Sequence, residues 1–368
     1  MKFRGSYTVC VTPFDDQGRV DLAAMRSYVD WQIDEGVHGL IPLGSTGEFL
    51  SLTRDERAAV AETVISQAAG RVPVLIGTAA EWTDEAVDLS REAERLGADG
   101  VMLVPPYYSS PTDAELMVHF TRVAEAIGIP VMIYNNPFTA NVDLSAALVG
   151  RLSQVDNISY IKDTSKNVHR VTELLDACQG RMTVFAGYYP WESYLAGAEG
   201  YSSVMSNIAP ALSAQTFTET VDGDAARGRA LYVESLPLIN ALAGDLYVSA
   251  TKAAMRMIGR PMGDPRAPRL PLPASPEEKL RAILRELQLL DRQEATNREN
   301  ANENHQPCSL PCLRCRGHHT RHHLGHRAGG HAEGQPQCQC DRALRGRHAQ
   351  DGRAAEGKDR RKGDDPGL

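Results

Sequence analysis

The sequence predicts an α/β protein built as a (β/α)8 TIM barrel, and three observations lead there. Between Gly5 and Ala209, short apolar and β-branched runs alternate with amphipathic runs at intervals of roughly 20 to 35 residues. Threonine and glycine punctuation falls where helices would start and stop. Residues with chemical uses collect just after the apolar runs, which in a barrel is the C-terminal rim where sites are built.

The strand-like runs are Ser6 to Val11, Gly39 to Leu43, Val72 to Gly77, Gly100 to Val104, Val131 to Asn135, Ile158 to Lys162, Thr183 to Ala186 and Tyr201 to Met205. Helical spacing of apolar residues marks Leu22 to Asp34, Arg54 to Ala69, Asp84 to Leu96, Ala114 to Ile127 and Val168 to Cys178. Thr53 and Thr83 are candidate N-caps, and Gly36, Gly70, Gly97, Gly128 and Gly180 stand where helices end. Strands that alternate with helices in this way favour a closed barrel over an open doubly wound sheet. Three further helical segments follow, Ala225 to Leu242, Tyr247 to Ile258 and Glu277 to Leu290. The predicted organisation is therefore a barrel over residues 1–222, a helical cap over 223–292, and a low-complexity tail over 293–368 that is expected to be disordered.

The chain has 368 residues, of which 42% are apolar and 23% charged, with a net charge of −8. That balance suits a globular protein and argues against nucleic acid as a partner. No run approaches the roughly 20 apolar residues that span a bilayer, and Met1-Lys2-Phe3-Arg4-Gly5 opens no secretory core, so a cytoplasmic protein with no membrane contact is expected. Cys10 and Cys178 sit in apolar contexts and read as reduced core residues. Cys308, Cys312, Cys315, Cys338 and Cys340 lie in the tail with His318, His319, His322 and His323. Only Cys312 and Cys315 have a zinc-like spacing, and no second pair matches them, so no metal site is predicted. Disorder, or the continuation of a GC-rich reading frame past a shifted stop, fits the tail better.

The run Ile158-Ser159-Tyr160-Ile161-Lys162-Asp163 ends a buried strand in a lysine. Most strand-end lysines snorkel to solvent or pair with a neighbour such as Asp163. The alternative is chemical, because a desolvated lysine becomes a nucleophile that forms a Schiff base with a carbonyl. The company of Lys162 favours the alternative. The second strand run ends in Gly44-Ser45-Thr46-Gly47-Glu48, the fourth in Pro105-Pro106-Tyr107-Tyr108-Ser109, the fifth in Tyr134-Asn135-Asn136-Pro137, and the seventh in Gly187-Tyr188-Tyr189-Pro190-Trp191.

Gly44-Ser45-Thr46-Gly47-Glu48, Tyr134-Asn135-x-Pro137 and Ile161-Lys162-Asp163, in that order on strands two, five and six, resemble the dihydrodipicolinate synthase and N-acetylneuraminate lyase family over about residues 1 to 290. The resemblance implies a class I lyase in which Lys162 forms an imine with a pyruvate-type 2-oxo acid. It implies that Tyr134 is the general acid and base, served by a hydroxyl relay through Thr46 to Tyr108, which enters a neighbouring subunit's site and is flanked by Tyr107. Ser45 and Thr46 would bind the oxo-acid carboxylate. No organic cofactor or metal is implied, since the imine is itself the electron sink. The family also implies a homo-oligomer, a tetramer or a dimer.

This chain departs from the family at the substrate end. Thr139 stands where the synthases that join pyruvate to aspartate semialdehyde carry a carboxylate-gripping arginine. Tyr188 and its neighbours follow Gly187 where sialic acid lyases place acids, and Ser202 replaces a commonly apolar residue. The expected substrate is therefore a 2-keto-3-deoxy sugar acid or a related hydroxy-oxo acid, cleaved or dehydrated. 4-Hydroxy-tetrahydrodipicolinate synthesis, with the arginine's role supplied from elsewhere, is the alternative. A non-catalytic 2-oxo acid binding or regulatory protein on the same barrel is the alternative from another class.

Overall fold

The apolar runs form eight parallel strands in the computed structural model, which describes residues 2–290: β1 (Gly5–Val9), β2 (Gly39–Ile41), β3 (Leu75–Gly77), β4 (Gly100–Leu103), β5 (Val131–Asn135), β6 (Ile158–Asp163), β7 (Thr183–Ala186) and β8 (Gly200–Ser203). They pair in the order β2-β1-β8-β7-β6-β5-β4-β3. The two ends meet where the Leu40 N–H donates to the Pro73 carbonyl at 3.0 Å and the Gly77 N–H to the Pro42 carbonyl at 3.0 Å. The result is the expected TIM barrel. The expected tail, with its cysteines and histidines, lies outside the described residues.

Helices α1 (Leu22–Asp34), α2 (Arg54–Ala68), α3 (Thr83–Leu96), α4 (Asp113–Glu125), α5 (Ala146–Leu152), α6 (His169–Cys178), α7 (Pro190–Leu195) and α8 (Pro210–Phe217) surround the strands. Thr53 caps α2 in a full capping box with Glu56. Thr83 does not cap α3. The helix is entered at Trp82, and the Thr83 hydroxyl lies 3.0 Å from His119 Nδ1 instead, so a tertiary partner has taken the capping group. Of the glycines expected to end helices, all but Gly128 are left-handed; the Gly128 N–H is held by the Glu94 carboxylate. Cys10 and Cys178 are buried free thiols. Among the described residues, no helix is long and apolar enough to cross a membrane.

The lower part of the barrel is filled by aromatic rings. Phe3 stacks on Tyr160 at 4.8 Å, and Phe185 meets Tyr7 edge-on at 5.2 Å and Tyr160 at 6.2 Å. Two glycines make the room: a Cβ on Gly39 would stand 2.1 Å from the Tyr7 ring, and one on Gly200 2.3 Å from Phe185. Side chains two apart on a strand share a face. Lys162 therefore stands one layer above Tyr160, in register with Tyr134 on β5 and Phe185 on β7.

Helices α9 (Ala225–Ala241), α10 (Tyr247–Met257) and α11 (Ala274–Glu286) follow the barrel. Helix α10 is tied to the loop after β2 by a buried ion pair, Lys252 Nζ to Glu48 Oε1 at 3.0 Å, with side chains 2% and 0% exposed. The other Glu48 oxygen accepts the Arg266 backbone N–H at 2.9 Å, and the Arg266 guanidinium donates to Glu56 on α2 at 2.7 Å. Burial pulls the Lys252 ammonium down to about 8, an effect that the Glu48 carboxylate opposes. Removing one partner of such a pair leaves the other charge buried alone. Lys252→Met should therefore lower the unfolding free energy by about 3–5 kcal/mol, measured by urea denaturation. A loss below about 1 kcal/mol, the ordinary worth of a surface pair, would show that the pair bears little of the cap's attachment.

Candidate active site

A cavity of about 450 Å³ opens at the C-terminal ends of the strands. Ser45, Thr46, Tyr107, Tyr134, Thr139, Lys162, Gly187, Tyr188 and Ser202 all line it, so residues predicted from separate strands converge on one space. Tyr108 does not line it. The residue is 87% exposed. The backbone there is nonetheless firmly held, because Glu81 accepts the N–H groups of Tyr107, Tyr108 and Ser109 at 2.8, 2.9 and 3.0 Å.

Lys162 is only 5% exposed. Asp163 does not pair with it, because strand alternation turns the two side chains to opposite faces. Asp163 instead accepts from Asn135 Nδ2 at 2.8 Å and from the Ser165 hydroxyl at 2.6 Å, with Arg170 Nε 3.4 Å away. Lys162 is left over the Tyr134 ring, its Nζ 4.0 Å from the centroid. Burial alone pulls its ammonium down to about 7. A lysine at that value carries a large neutral fraction at physiological pH, which a Schiff-base nucleophile requires.

Tyr134 is buried, and its hydroxyl accepts from Asn136 Nδ2 at 2.9 Å. Burial pushes the phenol up, and hydrogen bonding with Thr164 and Asn136 works against that rise. Thr164 is itself placed by its N–H and hydroxyl, which reach the Asn135 carbonyl at 3.0 and 2.7 Å. The relay expected from Tyr134 through Thr46 to Tyr108 is not closed within one chain. Thr46 lines the cavity, but the group that holds the Tyr134 hydroxyl here is the Asn136 amide.

The loop after β2 turns tightly, with the Gly47 N–H on the Gly44 carbonyl at 3.0 Å and the Thr12 hydroxyl on the Gly47 carbonyl at 2.7 Å. It places Ser45 in the wall of the cavity that Tyr247 also lines. Burial raises the Tyr247 phenol to about 12, and Arg269 draws it back. Ser202, on β8, has a buried hydroxyl with no hydrogen-bond partner among the described residues. Gly187 is required where it stands, since a Cβ there would fall 2.0 Å from the Thr164 methyl.

Several wall residues were missed in the sequence. Asn136 occupies the variable place of the Tyr-Asn-x-Pro run, and its amide was a readable signal. Thr164 and Lys166 follow Lys162 closely, but nothing local says that they face the cavity. Tyr247 and Arg269 come from the C-terminal segment and reach the site only through tertiary packing.

The family model of the dihydrodipicolinate synthetase family matches residues 2–287. The 4-hydroxy-tetrahydrodipicolinate synthase of Nitrobacter hamburgensis is 42% identical over 279 residues, 74% of this chain and 92% of that one. The enzyme of the same name from Geobacter metallireducens is 36% identical over 290 residues, 78% of this chain and 100% of that one. Among solved structures, a chloride-inhibited dihydrodipicolinate synthase from Acinetobacter baumannii complexed with pyruvate is 34% identical. It superposes with a TM-score of 0.76, covering 77% of this chain and 99% of that one.

The lowered ammonium of Lys162 has a measurable signature. With a value near 7, roughly a tenth of the residue is neutral at about pH 6 and roughly nine-tenths at about pH 8. Modification of Lys162 by an amine-directed acylating reagent, followed by peptide mass spectrometry, should rise through that interval and then level off. A rate still climbing above about pH 9 would mean an ordinary lysine near 10.4.

Proposed function

Because the chain belongs to the dihydrodipicolinate synthetase family and is thus an aldolase-type carbon–carbon lyase, we propose that it joins pyruvate, held as an imine on Lys162, to aspartate semialdehyde, the 4-hydroxy-tetrahydrodipicolinate synthase reaction. The buried Lys162 amine, with no carboxylate beside it and the Tyr134 phenol against it, carries this reading. The names of the relatives support the condensation over the sugar-acid chemistry that the sequence alone favours.

In this reading the neutral Lys162 amine attacks the keto carbon of pyruvate, and water leaves to give a protonated imine. The imine withdraws electrons from the adjacent methyl carbon, which gives a proton to the water just released and becomes an enamine. That carbon attacks the aldehyde, and the new alkoxide takes a proton from Tyr134, the nearest buried acid. Asn136 steadies the phenolate left behind. Ser45 and Thr46, in a tight turn, receive the pyruvate carboxylate. No metal or organic cofactor is called for, since the imine is the electron sink. The reading also makes the protein a cytoplasmic homo-oligomer, a tetramer or a dimer, in which a neighbouring copy covers Tyr108.

A second reading keeps the same imine but takes a 2-keto-3-deoxy sugar acid. The unpartnered Ser202 hydroxyl and Thr139 favour it, because both offer neutral polar contacts to a polyol chain.

Incubation with pyruvate and borohydride should leave a reduced adduct on Lys162, found by mass spectrometry, and Lys162→Ala should leave none. A wild-type chain that stays unmodified with pyruvate and with other 2-oxo acids would sink the imine. Tyr134→Phe should still form the adduct and lose about 10²–10⁴-fold in turnover. Turnover of pyruvate with aspartate semialdehyde, set against cleavage of a 2-keto-3-deoxy sugar acid, separates the two readings.

A further inference from the structure

We infer that Lys166 is the cation that receives the carboxylate of the aldehyde substrate, in the place where Thr139 offers no charge; this rests on the condensation reading above. An aldehyde that bears a carboxylate brings a second negative charge into the cavity, beyond the one on pyruvate. Three cations line the wall, Lys162, Lys166 and Arg269, against two acids, Glu48 and Asp245. Glu48 is already matched by Lys252 at 3.0 Å, and Asp245 is exposed. Lys162 is committed to the keto carbon, which leaves Lys166 and Arg269. Neither forms an ion pair among the described residues.

The two remaining cations serve opposite ends. Arg269 donates its backbone N–H to the carbonyl of Arg266, whose own N–H is held by Glu48 in the loop that carries Ser45, and so belongs to the pyruvate carboxylate. Lys166 lies on the loop after β6, with Nζ 4.7 Å from the centre of the Phe138 ring and 4.9 Å from that of Tyr188. Phe138 immediately precedes Thr139, and Tyr188 follows β7, so the ammonium sits between the two loops that close the far side of the cavity. Contact with two ring faces fixes the position of an ammonium and leaves N–H groups for an anion.

The backbone makes this placement specific. Lys166 has φ of +62°, a left-handed conformation that glycine adopts freely and a lysine only under constraint. The constraint is Asp163, whose carboxylate accepts the Ser165 N–H at 3.2 Å and hydroxyl at 2.6 Å and so folds the loop back. Strain held at a cavity wall by such bonds is a feature of functional positions. Lys166 thus selects short aldehydes with a carboxylate over neutral ones.

Steady-state kinetics with pyruvate and aspartate semialdehyde test this. Lys166→Gln should raise the KM for the semialdehyde by about ten- to a hundredfold, the worth of one charge-assisted hydrogen bond, with the KM for pyruvate and borohydride trapping unchanged. Lys166→Gly, which the backbone accepts more readily than lysine, should lose as much, so that misfolding is not the cause. Lys166→Arg should recover most of the affinity. An acceptor KM within about twofold of wild type in Lys166→Gln overturns the inference. So does an acceptor defect in Arg269→Gln that Lys166→Gln lacks, or a wild-type protein that traps pyruvate yet turns over no carboxylated aldehyde. Failure to trap pyruvate at all is the separate failure of the imine itself.

Discussion

An amine stays protonated in water at neutral pH unless it is costly to keep its charge, and the site is arranged around imposing that cost on Lys162. Rings from Phe3, Tyr7, Tyr160 and Phe185 close the barrel beneath it, and glycines at 39 and 200 exist to admit two of them. The strand's own alternation removes the nearest carboxylate, since Asp163 faces outward into a network with Asn135 and Arg170. With the amine buried and no anion beside it among the described residues, desolvation acts unopposed. The closed barrel is what allows this, because it supplies a dry floor and an open mouth on the same axis.

Other charges near the cavity are treated differently. Glu48 is as deeply buried as Lys162 but is matched by Lys252 and by the Arg266 backbone. It therefore adds no field that would hold the Lys162 proton on. The tyrosines of the wall, Tyr134 and Tyr247, are raised by burial and remain phenols able to donate. The wall thus sets proton donors beside an amine that loses its proton far more readily than it would in solvent.

Much of this was legible in the sequence, and the limits follow from physics. The strands were readable because their faces are buried on both sides and so read as apolar runs, and α1 began and ended as expected. Helices α5, α7 and α8 were not, because each is eight residues or shorter, too few for a 3.6-residue period to show, and two begin at proline, which otherwise reads as a turn. Thr83 looked like a cap because local rules cannot see His119 arriving from the next helix. In the site, Ser45, Thr46, Tyr134 and Lys162 carried their meaning by position after a strand. Tyr247 and Arg269 carried none until α10 and the segment after it packed over the barrel. The charge balance of the cavity was equally hidden: Thr139 was visible in the sequence, but that Lys166 lies over Phe138 on a left-handed backbone was not.

Tyr247 and Lys252 lie on one helix, α10; Lys252 reaches back to Glu48 in the loop after β2, and Tyr247 lines the cavity beside Ser45. During synthesis every strand of the barrel leaves the ribosome before that helix does. A nascent chain that has already closed its sheet therefore still has a solitary carboxylate at Glu48 and no phenol behind Ser45. The sheet can close before the cavity wall is complete, since Tyr247 and the partner of Glu48 arrive only with the late helix.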